Sequence, residues 1–185
     1  EVSILYDQAA PVIDITGVSE GRLLNTDVFP AFTVFDVNPD TASVRAFLDG
    51  QAFVSGTKVS QEGAHTLAVS ASDAEGHASS ATVRFTLDKT GPQIAISGIS
   101  EGAVFQNAVS AQVQVTDLHP GASAFFLTNL TLGTTDSYQT GQSITRSGSY
   151  VLSGTAADLA GNVSSAAVSF RLEVGPIAPL NLTVD

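Results

Sequence analysis

The chain contains an internal repeat, and this feature limits the fold more than any other. When the sequence is shifted by 81 positions, the stretch PVIDITGVSEG at 11–21 falls on PQIAISGISEG at 92–102. At the same offset three further residues recur: Val34 on Val115, Asp36 on Asp117 and Pro39 on Pro120. A period near 80 is too long for the stacked units of a solenoid and fits a self-contained domain. The sequence therefore predicts two related domains in tandem.

The second copy then gains four residues, and the offset becomes 85. Glycine, leucine and aspartate keep their places at this offset: Gly56 falls on Gly141, Gly63 on Gly148, Leu67 on Leu152, Asp73 on Asp158 and Gly76 on Gly161. The predicted divisions are 1–10, the end of a preceding linker or strand; 11–90, the first domain; 91–175, the second domain; and 176–185, a linker and the start of a following domain. We therefore expect a segment of a longer string of domains.

The composition excludes several kinds of partner. Eighteen acidic against seven basic residues give a net charge of -11, which repels nucleic-acid phosphates and anionic membrane surfaces and favours cations. The absence of cysteine excludes disulfides and Cys-ligated zinc. No run of apolar residues is long enough to predict a membrane-spanning helix. We therefore expect no nucleic-acid partner and no membrane insertion in this segment.

Period-2 alternation predicts β-strands, because successive side chains of a strand point to opposite faces of its sheet. The last strand of each copy shows the pattern most plainly. Val83, Phe85 and Leu87 alternate with polar residues, as do Val168, Phe170 and Leu172 with smaller or charged ones. These apolar residues are predicted to form the core.

The strand before each of these carries a more specific pattern. Gly148-x-Tyr150-x-Leu152 is similar to the F strand of immunoglobulin domains, with Tyr150 at the tyrosine-corner position and Leu152 where antibody domains carry their second cysteine. The first copy departs from this pattern, because His65 stands where tyrosine is expected. We expect His65 to pack at the corner position.

Two further motifs extend the resemblance. The Asp-x-Ala-Gly-Asn turn at 158–162 and the Asp-x-Thr-x-Pro linker at 88–92 resemble those of the bacterial Ig-like repeats of cell-surface and secreted proteins. The resemblance covers both copies almost end to end. It implies an all-β fold of two tandem immunoglobulin-like antiparallel β-sandwiches, each with seven strands, and an extracellular, secreted or cell-surface location. The stretch at 176–184 resembles the opening strand of a fibronectin type III domain.

Both copies also contain G-x-S-x-G, at 17–21 and 98–102. This is the pattern of a hydrolase nucleophile elbow, which requires a strand before it and a helix after it. Turn formers and another strand follow each motif instead, and a structural repeat explains why the motif occurs twice. We therefore interpret both motifs as turns.

No other arrangement of residues favours catalysis. His65, His77 and His119 lack the i, i+4 helical pairing of a zinc-binding face, and His77 and His119 are expected to be solvated loop residues. The carboxylates show no pairing of the kind that glycosidases use. We expect no enzyme, no catalytic residue and no certain cofactor.

Calcium is the one metal that the sequence favours, since it prefers clusters of carboxylate and carbonyl oxygens. In an immunoglobulin topology the end of strand B, the F–G turn and the incoming linker meet at one pole. These elements carry Asp117, Asp158 and Asp88 in the second copy, and Asp36, Asp73 and Asp7 in the first. Glu20 and Glu62, at the opposite pole of the first domain, are predicted to approach the same junction.

The predicted calcium site, made of Asp88, Asp117, Asp158, Glu20 and Glu62, is similar to the linker clamps of cadherin-like repeats. The alternative is that these aspartates cap turns by accepting hydrogen bonds from backbone N–H groups. Asp73 and Asp158 both begin turns that contain glycine, as capping requires.

The added residues around 134–138 predict a longer hairpin in the second copy. An exposed Tyr138 on this loop would be a candidate contact for a ligand or partner, while an insertion-tolerant hairpin is the alternative.

The resemblance implies a non-catalytic spacer or stalk of a larger extracellular bacterial protein, whose partners are the flanking domains of the same polypeptide. Alternatives are an adhesion or ligand-binding module for a surface protein or a glycan, and an accessory domain of a secreted enzyme. The lack of tryptophan and the presence of only three tyrosines argue against an aromatic sugar platform.

Overall fold

The computed structural model describes residues 8–37, 40 and 43–175, and this part of the chain is all-β. Its strands are β1 (Val12–Thr16), β2 (Arg22–Leu24), β3 (Ala31–Phe35), β4 (Arg45–Leu48), β5 (Gln51–Ala52), β6 (Gly63–Ser72), β7 (Ala78–Leu87), β8 (Gln93–Ser97), β9 (Ala103–Phe105), β10 (Val109–Ser110), β11 (Gln112–Thr116), β12 (Pro120–Asn129), β13 (Thr134–Ser137), β14 (Ser143–Ile144), β15 (Gly148–Asp158) and β16 (Val163–Leu172). The described residues hold no helix that is long and apolar enough to cross a membrane.

The chain divides into two compact units, Glu1–Thr90 and Gly91–Asp185. Each has a hydrophobic core of its own residues. The predicted segment 1–10 falls on described residues only from Gln8 onward. Asp7 and the fibronectin-like stretch at 176–184 lie outside the described residues.

The first unit is an immunoglobulin-like β-sandwich. One layer is a five-stranded sheet in the order β2-β7-β6-β4-β5. The other layer contains the antiparallel pair β1–β3 and an isolated bridge between Val28 and Val59. The core of this unit contains Val18, Val28, Val59, Phe85 and Leu87.

The predicted alternation accounts for this core. In β6, Leu67 and Val69 are 0% and 1% exposed, and Ala68 between them is only partly buried. In β7, Phe85 and Leu87 are buried, and Val83 packs against the core as a half-buried residue. Each fully buried leucine or phenylalanine contributes about 1.5–3 kcal/mol relative to an exposed one.

The second unit repeats this design with more strands. Its main sheet has the order β13-β12-β15-β16-β9, and the pairs β8–β11 and β10–β14 complete the unit. The described residues thus form seven strands in the first unit and nine in the second, where seven were predicted for each. The buried members of the core are Ile99, Ala111, Tyr138, Ile144, Tyr150, Leu152, Phe170 and Leu172.

The sequence predicts purely antiparallel sandwiches, but each unit also contains one parallel pair of strands. β2 pairs with β7 in parallel, and β9 pairs with β16 in parallel. In the described part of each unit, the first strand lies in the smaller layer, and the chain then makes the G-x-S-x-G turn and crosses to the edge of the five-stranded sheet. Alternation shows which face of a strand is buried but not which strand lies beside it, and it therefore could not predict these pairs.

The hairpins confirm that the added residues of the second copy form a longer hairpin. β4 and β5 are joined by the two residues Asp49 and Gly50, whose φ angles are 51° and 79°. Two positive φ values in a two-residue loop indicate a type I′ turn, which matches the twist of the paired strands. β12 and β13 are instead joined by a four-residue loop at 130–133, and the strand pair there is longer.

Candidate functional site

The G-x-S-x-G motifs form turns, as predicted. Gly17 and Gly98 have φ angles of 80° and 84°, a region that favours glycine. A Cβ atom on Gly17 would lie 2.5 Å from the carbonyl oxygen of Phe29, and one on Gly98 would clash with that of Ser110. Strands β2 and β9 follow these turns where a nucleophile elbow would need a helix.

The glutamate of each motif holds the turn to the last strand of its unit. The Oε2 of Glu20 accepts a hydrogen bond from the backbone N–H of Arg84 at 2.8 Å. The Oε2 of Glu101 accepts one from the backbone N–H of Ser169 at the same distance. Glu20 also lies 3.8 Å from the guanidinium of Arg84. The structure therefore places Glu20 beside β7, as a clamp on the backbone, and calcium binding at this residue stays a prediction.

Glu62 holds the segment that follows β7. Its carboxylate accepts the backbone N–H of Lys89 and the hydroxyl of Thr90, the latter at 3.2 Å. The ammonium group of Lys89 lies 2.5 Å from Asp27 and 2.6 Å from the Ser60 carbonyl. The hydrogen bonds from Lys89 and Lys58 lower the pKa of Asp27. Glu62 is thus engaged within its own unit, at the end of β7.

Asp158 caps the turn between β15 and β16. Its Oδ1 accepts the N–H groups of Gly161 and Asn162 at 2.7 and 2.8 Å, and its Oδ2 accepts the Asn162 side-chain amide at 2.6 Å. Burial acts to raise the pKa of Asp158, but these hydrogen bonds outweigh it and hold the pKa below its usual range. The capping interpretation is therefore correct for this residue.

Asp117 lies close to Asp158 in the same unit, with carboxylate oxygens within 4.8 Å of each other. The Oδ1 of Asp117 accepts the backbone N–H of His119 at 2.7 Å, and the His119 carbonyl accepts the N–H of Leu159. His119 is therefore half-buried and held to the turn through its backbone, where a solvated loop residue had been expected. A cation bound by Asp117 and Asp158 stays a prediction.

Asp88 directly follows β7 and is 7% exposed. Its backbone N–H donates to the Leu24 carbonyl at 2.9 Å, and its Oδ1 lies 3.3 Å from the N–H of Thr90. The same backbone bond joins Glu173, its repeat equivalent, to Phe105. Asp88 thus has a capping role in the first unit, and calcium binding at this residue stays a prediction.

The first unit has its own version of the capped turn. The Oδ1 of Asp73 accepts the N–H of His77 at 2.7 Å, and its Oδ2 lies 2.6 Å from the His77 ring. Burial acts to raise the pKa of Asp73, but the bonds from His77 outweigh it and lower the pKa. His77 is therefore part of the cap and not simply solvated, and Asp36 lies half-buried after β3.

The predicted tyrosine corner is present. The hydroxyl of Tyr150 donates to the carbonyl of Arg146, four residues earlier, at 2.7 Å. In the first unit the Nε2 of His65 lies 2.8 Å from the carbonyl of Gln61, again four residues earlier. The prediction that His65 packs at the corner position is confirmed.

Tyr138 is buried, and its predicted exposure is wrong. It is 6% exposed, and its hydroxyl accepts the N–H of Ala111 at 2.8 Å and lies 2.9 Å from the carbonyl of the same residue. Burial raises the pKa of this hydroxyl, and the hydrogen bond with Ala111 opposes the rise. Tyr138 is a core residue that ties the end of the hairpin to Ala111, directly before β11.

Comparisons with known proteins find likenesses of structure. No family model matches the sequence, and a search of curated proteins finds no match. Dimeric latent PorU from Porphyromonas gingivalis is similar at 13% identity and a TM-score of 0.38, over 93% of this chain and 21% of that chain. The titin domains z1z2 in complex with telethonin are similar at 17% identity and a TM-score of 0.33, over 92% and 98%.

The N-terminal eight Ig domains of Down Syndrome Cell Adhesion Molecule are similar at 12% identity and a TM-score of 0.47, over 90% of this chain and 25% of that chain. The chain thus spans about a fifth of PorU and a quarter of this last structure. The assignment of an immunoglobulin-like fold rests on the strand pairing of the chain itself.

Proposed function

We propose that this chain is a non-catalytic spacer of a larger extracellular bacterial protein, which positions the domains that flank it. One observation carries the proposal: each unit leads the polypeptide from one of its ends to the other. The parallel pairings β2–β7 and β9–β16 are the basis of this path.

The path in the first unit follows from the strand directions. β2 ends beside the end of β7, where Leu24 pairs with Leu87. β3 starts from that end, and β1 runs antiparallel to β3. Both β1 and β2 therefore run toward the end at which β7 finishes, so the chain enters at one end and leaves at the other. A ten-residue strand such as β7 spans about 33 Å, at roughly 3.3 Å per residue.

The path in the second unit is the same. Phe105 at the end of β9 pairs with Leu172 at the end of β16, and β8 runs antiparallel to β11. A pull on the two ends of either unit would load the hydrogen bonds between β2 and β7, or between β9 and β16, in shear, since the strands of each pair are parallel. The Glu20 and Glu101 clamps join the same pairs of strands and would share this load.

Replacement of the segment in its parent polypeptide tests the proposal. Exchange of residues 11–175 for an unrelated pair of immunoglobulin-like domains should preserve the activity of the flanking domains, because a spacer acts through its length. Deletion of the same residues should reduce that activity. Loss of activity in both the exchanged and the deleted protein would reject the spacer role and favour the alternative of a binding module.

A further inference from the structure

The outer side of the five-stranded sheet in the first unit combines an exposed aromatic ring with arginine. Phe47 of β4 lies beside Ala68 of β6 and is 42% exposed. Arg45 stands two positions before Phe47 and therefore points to the same side of the sheet. Arg84 of β7 pairs with Thr66 on this side, and its side chain is 68% exposed. We call this surface of β4, β6 and β7 the arginine face.

The arginine face carries an excess of positive charge. The other outward positions of its three strands hold alanine, serine and threonine. Glu20 borders the face, 3.8 Å from the guanidinium of Arg84. Asp49 follows β4, but its carboxylate is directed to His65 on the buried side of the sheet. Two arginines against one glutamate make this face unusual in a chain with a net charge of -11.

The smaller layer of the same unit presents a face of the opposite kind. Val12 of β1 and Phe35 of β3 form a cross-strand pair, and they are 64% and 62% exposed. Asp14 lies two positions after Val12, pairs with Thr33 and is exposed on the same side. It is the one charged residue at the outward positions of β1 and β3, both of which lie in the described part of the chain. We call this apolar and negative surface the aspartate face.

The second unit lacks the charges of both faces and the apolar pair. The equivalent positions hold neutral residues, which are Ala124 and Ser169 on its five-stranded sheet and Gln93, Ala95 and Thr116 on its smaller layer. Phe126 keeps the aromatic residue, opposite Ser153, and is 43% exposed. Two surfaces that bind each other are useful only together, whereas unrelated surfaces have no reason to occur in the same unit. The presence of both faces in the first unit therefore favours a contact between them.

We propose that the first unit binds a second copy of this chain, with the arginine face of one copy against the aspartate face of the other. Asp14 supplies a carboxylate for the guanidinium groups, and Phe47 supplies an aromatic surface that covers Val12 and Phe35. Two arginine faces would repel each other, as would two aspartate faces, so charge selects the unlike pair. The inference concerns two faces of the first unit and does not rest on the spacer role.

The position of the two faces determines the kind of assembly. They belong to opposite layers of the sandwich, so one copy can contact two neighbours, and the contact is heterologous and does not close as a two-fold dimer. Each five-residue strand of the aspartate face extends only about 17 Å, which makes the contact small. We therefore expect weak association, with a dissociation constant on the order of 1 mM.

Sedimentation equilibrium of the complete 185-residue chain tests the proposal. In salt of about 0.15 M, which screens the general repulsion between copies, the average mass should rise up to about 1 mM protein without a limit at the dimer. V12Q/F35T places the residues of the second unit at two exposed positions and should raise the dissociation constant at least about tenfold. F126T is the matched control, since it removes an exposed phenylalanine from the unit that lacks the charges, and it should leave the dissociation constant unchanged.

A mixing experiment tests whether unlike faces meet. R45E/F47T blocks the arginine face, and V12Q/F35T blocks the aspartate face. Each variant alone should stay monomeric at about 1 mM, while an equal mixture should form a dimer and nothing larger, because one intact face of each kind remains. A mixture that stays monomeric would overturn the proposal. An unaltered chain that stays monomeric, or that stops at a dimer, would do the same.

The amide signals of Arg45 and Phe47 distinguish a second copy from another acidic partner. They should shift in NMR spectra as the concentration of the chain rises, and V12Q/F35T should suppress the shifts. Poly-glutamate is the probe for the other occupant. Shifts that appear with poly-glutamate and not with rising chain concentration would assign the arginine face to a different acidic partner and reject the proposal.

Discussion

At the scale of single residues, the aspartates at the F–G turns show how one side chain can satisfy several backbone groups. Asp158 accepts two backbone N–H groups and a side-chain amide, and Asp73 does the same with a backbone N–H and a histidine ring. The N–H groups of a tight turn point in one direction, and a carboxylate is the acceptor that satisfies them together.

Replacement of Asp158 by alanine should destabilise the second unit. Removal of the carboxylate leaves the turn N–H groups without their acceptor, at a cost of about 1–3 kcal/mol. Urea titration, with hydrogen exchange of the β15 amides as the readout, would measure this loss of stability. D136A is the matched control, since Asp136 is exposed, and should change stability by less than about 0.5 kcal/mol.

The capping by Asp158 also makes the stability of the second unit depend on pH. The pKa of Asp158 is lower in the folded state than in the unfolded chain. Its contribution is therefore complete above the ordinary aspartate pKa of about 3.9 and is lost as the pH falls through the lowered folded value. D158A should thus be less sensitive to acid than the unaltered chain, and equal acid sensitivity of the two would contradict the assignment.

The two buried tyrosines of the second unit should differ in what they contribute. Y150F removes the hydrogen bond from the Tyr150 hydroxyl to the Arg146 carbonyl. Because Arg146 is exposed, water can hydrogen-bond to this carbonyl instead, and we expect the free energy of unfolding to fall by about 0.5–1.5 kcal/mol. Y138F leaves the N–H of the fully buried Ala111 without an acceptor and should cost about 1–3 kcal/mol. Denaturation in urea would rank the two variants, and the reverse order would show that Ala111 finds another acceptor.

At the scale of elements, the crossing from the small layer to the five-stranded sheet depends on glycine. Gly17 and Gly21 both have positive φ angles, of 80° and 71°, but their surroundings differ. A Cβ on Gly17 meets the backbone of Phe29, and a Cβ on Gly21 meets nothing within 4 Å. The first position therefore requires glycine for space as well as for conformation.

Alanine at these two positions should separate the two requirements. G21A carries only the conformational cost, about 1–2 kcal/mol. G17A adds a backbone clash, and we expect it to cost about 1–3 kcal/mol more. Thermal unfolding of the first unit, monitored by hydrogen exchange of the β6 amides, would measure the stability loss in both variants. Equal losses in G17A and G21A would show that the backbone at Phe29 can move away freely.

The elements also show what the sequence could and could not predict. The corner at Tyr150 joins residues four positions apart, and the last strand shows its buried face by local alternation, so both were predicted correctly. The burial of Tyr138 depends on Ala111, 27 positions away, and the clamp of Glu20 depends on Arg84, 64 positions away. Local patterns carry no information on such partners, although the presence of glutamate in both G-x-S-x-G motifs was a signal of a shared role.

At the scale of the whole molecule, the net charge of -11 sets the response to ions. Repulsion among the acidic groups opposes the compact state and is screened by any salt. A specific calcium site would add stabilisation beyond this screening, by about 2.7 kcal/mol at a concentration one hundred times the dissociation constant.

Thermal unfolding in matched salts distinguishes the two effects. If the predicted site at Asp88, Asp117 and Asp158 binds calcium, millimolar Ca²⁺ should raise the Tm more than NaCl of equal ionic strength, and D117N should remove the difference. If the aspartates only cap turns, the two salts should have equal effects. The second result would reject the calcium prediction and leave the capping role.

The placement of the tyrosines has a consequence for spectroscopy. The chain has no tryptophan, and two of its three tyrosines, Tyr138 and Tyr150, are buried in the second unit. Near-ultraviolet circular dichroism and intrinsic fluorescence will therefore report the melting of that unit through Tyr138 and Tyr150, while far-ultraviolet signals sum over every strand. Unfolding of the first unit alone would leave the fluorescence of Tyr138 and Tyr150 unchanged.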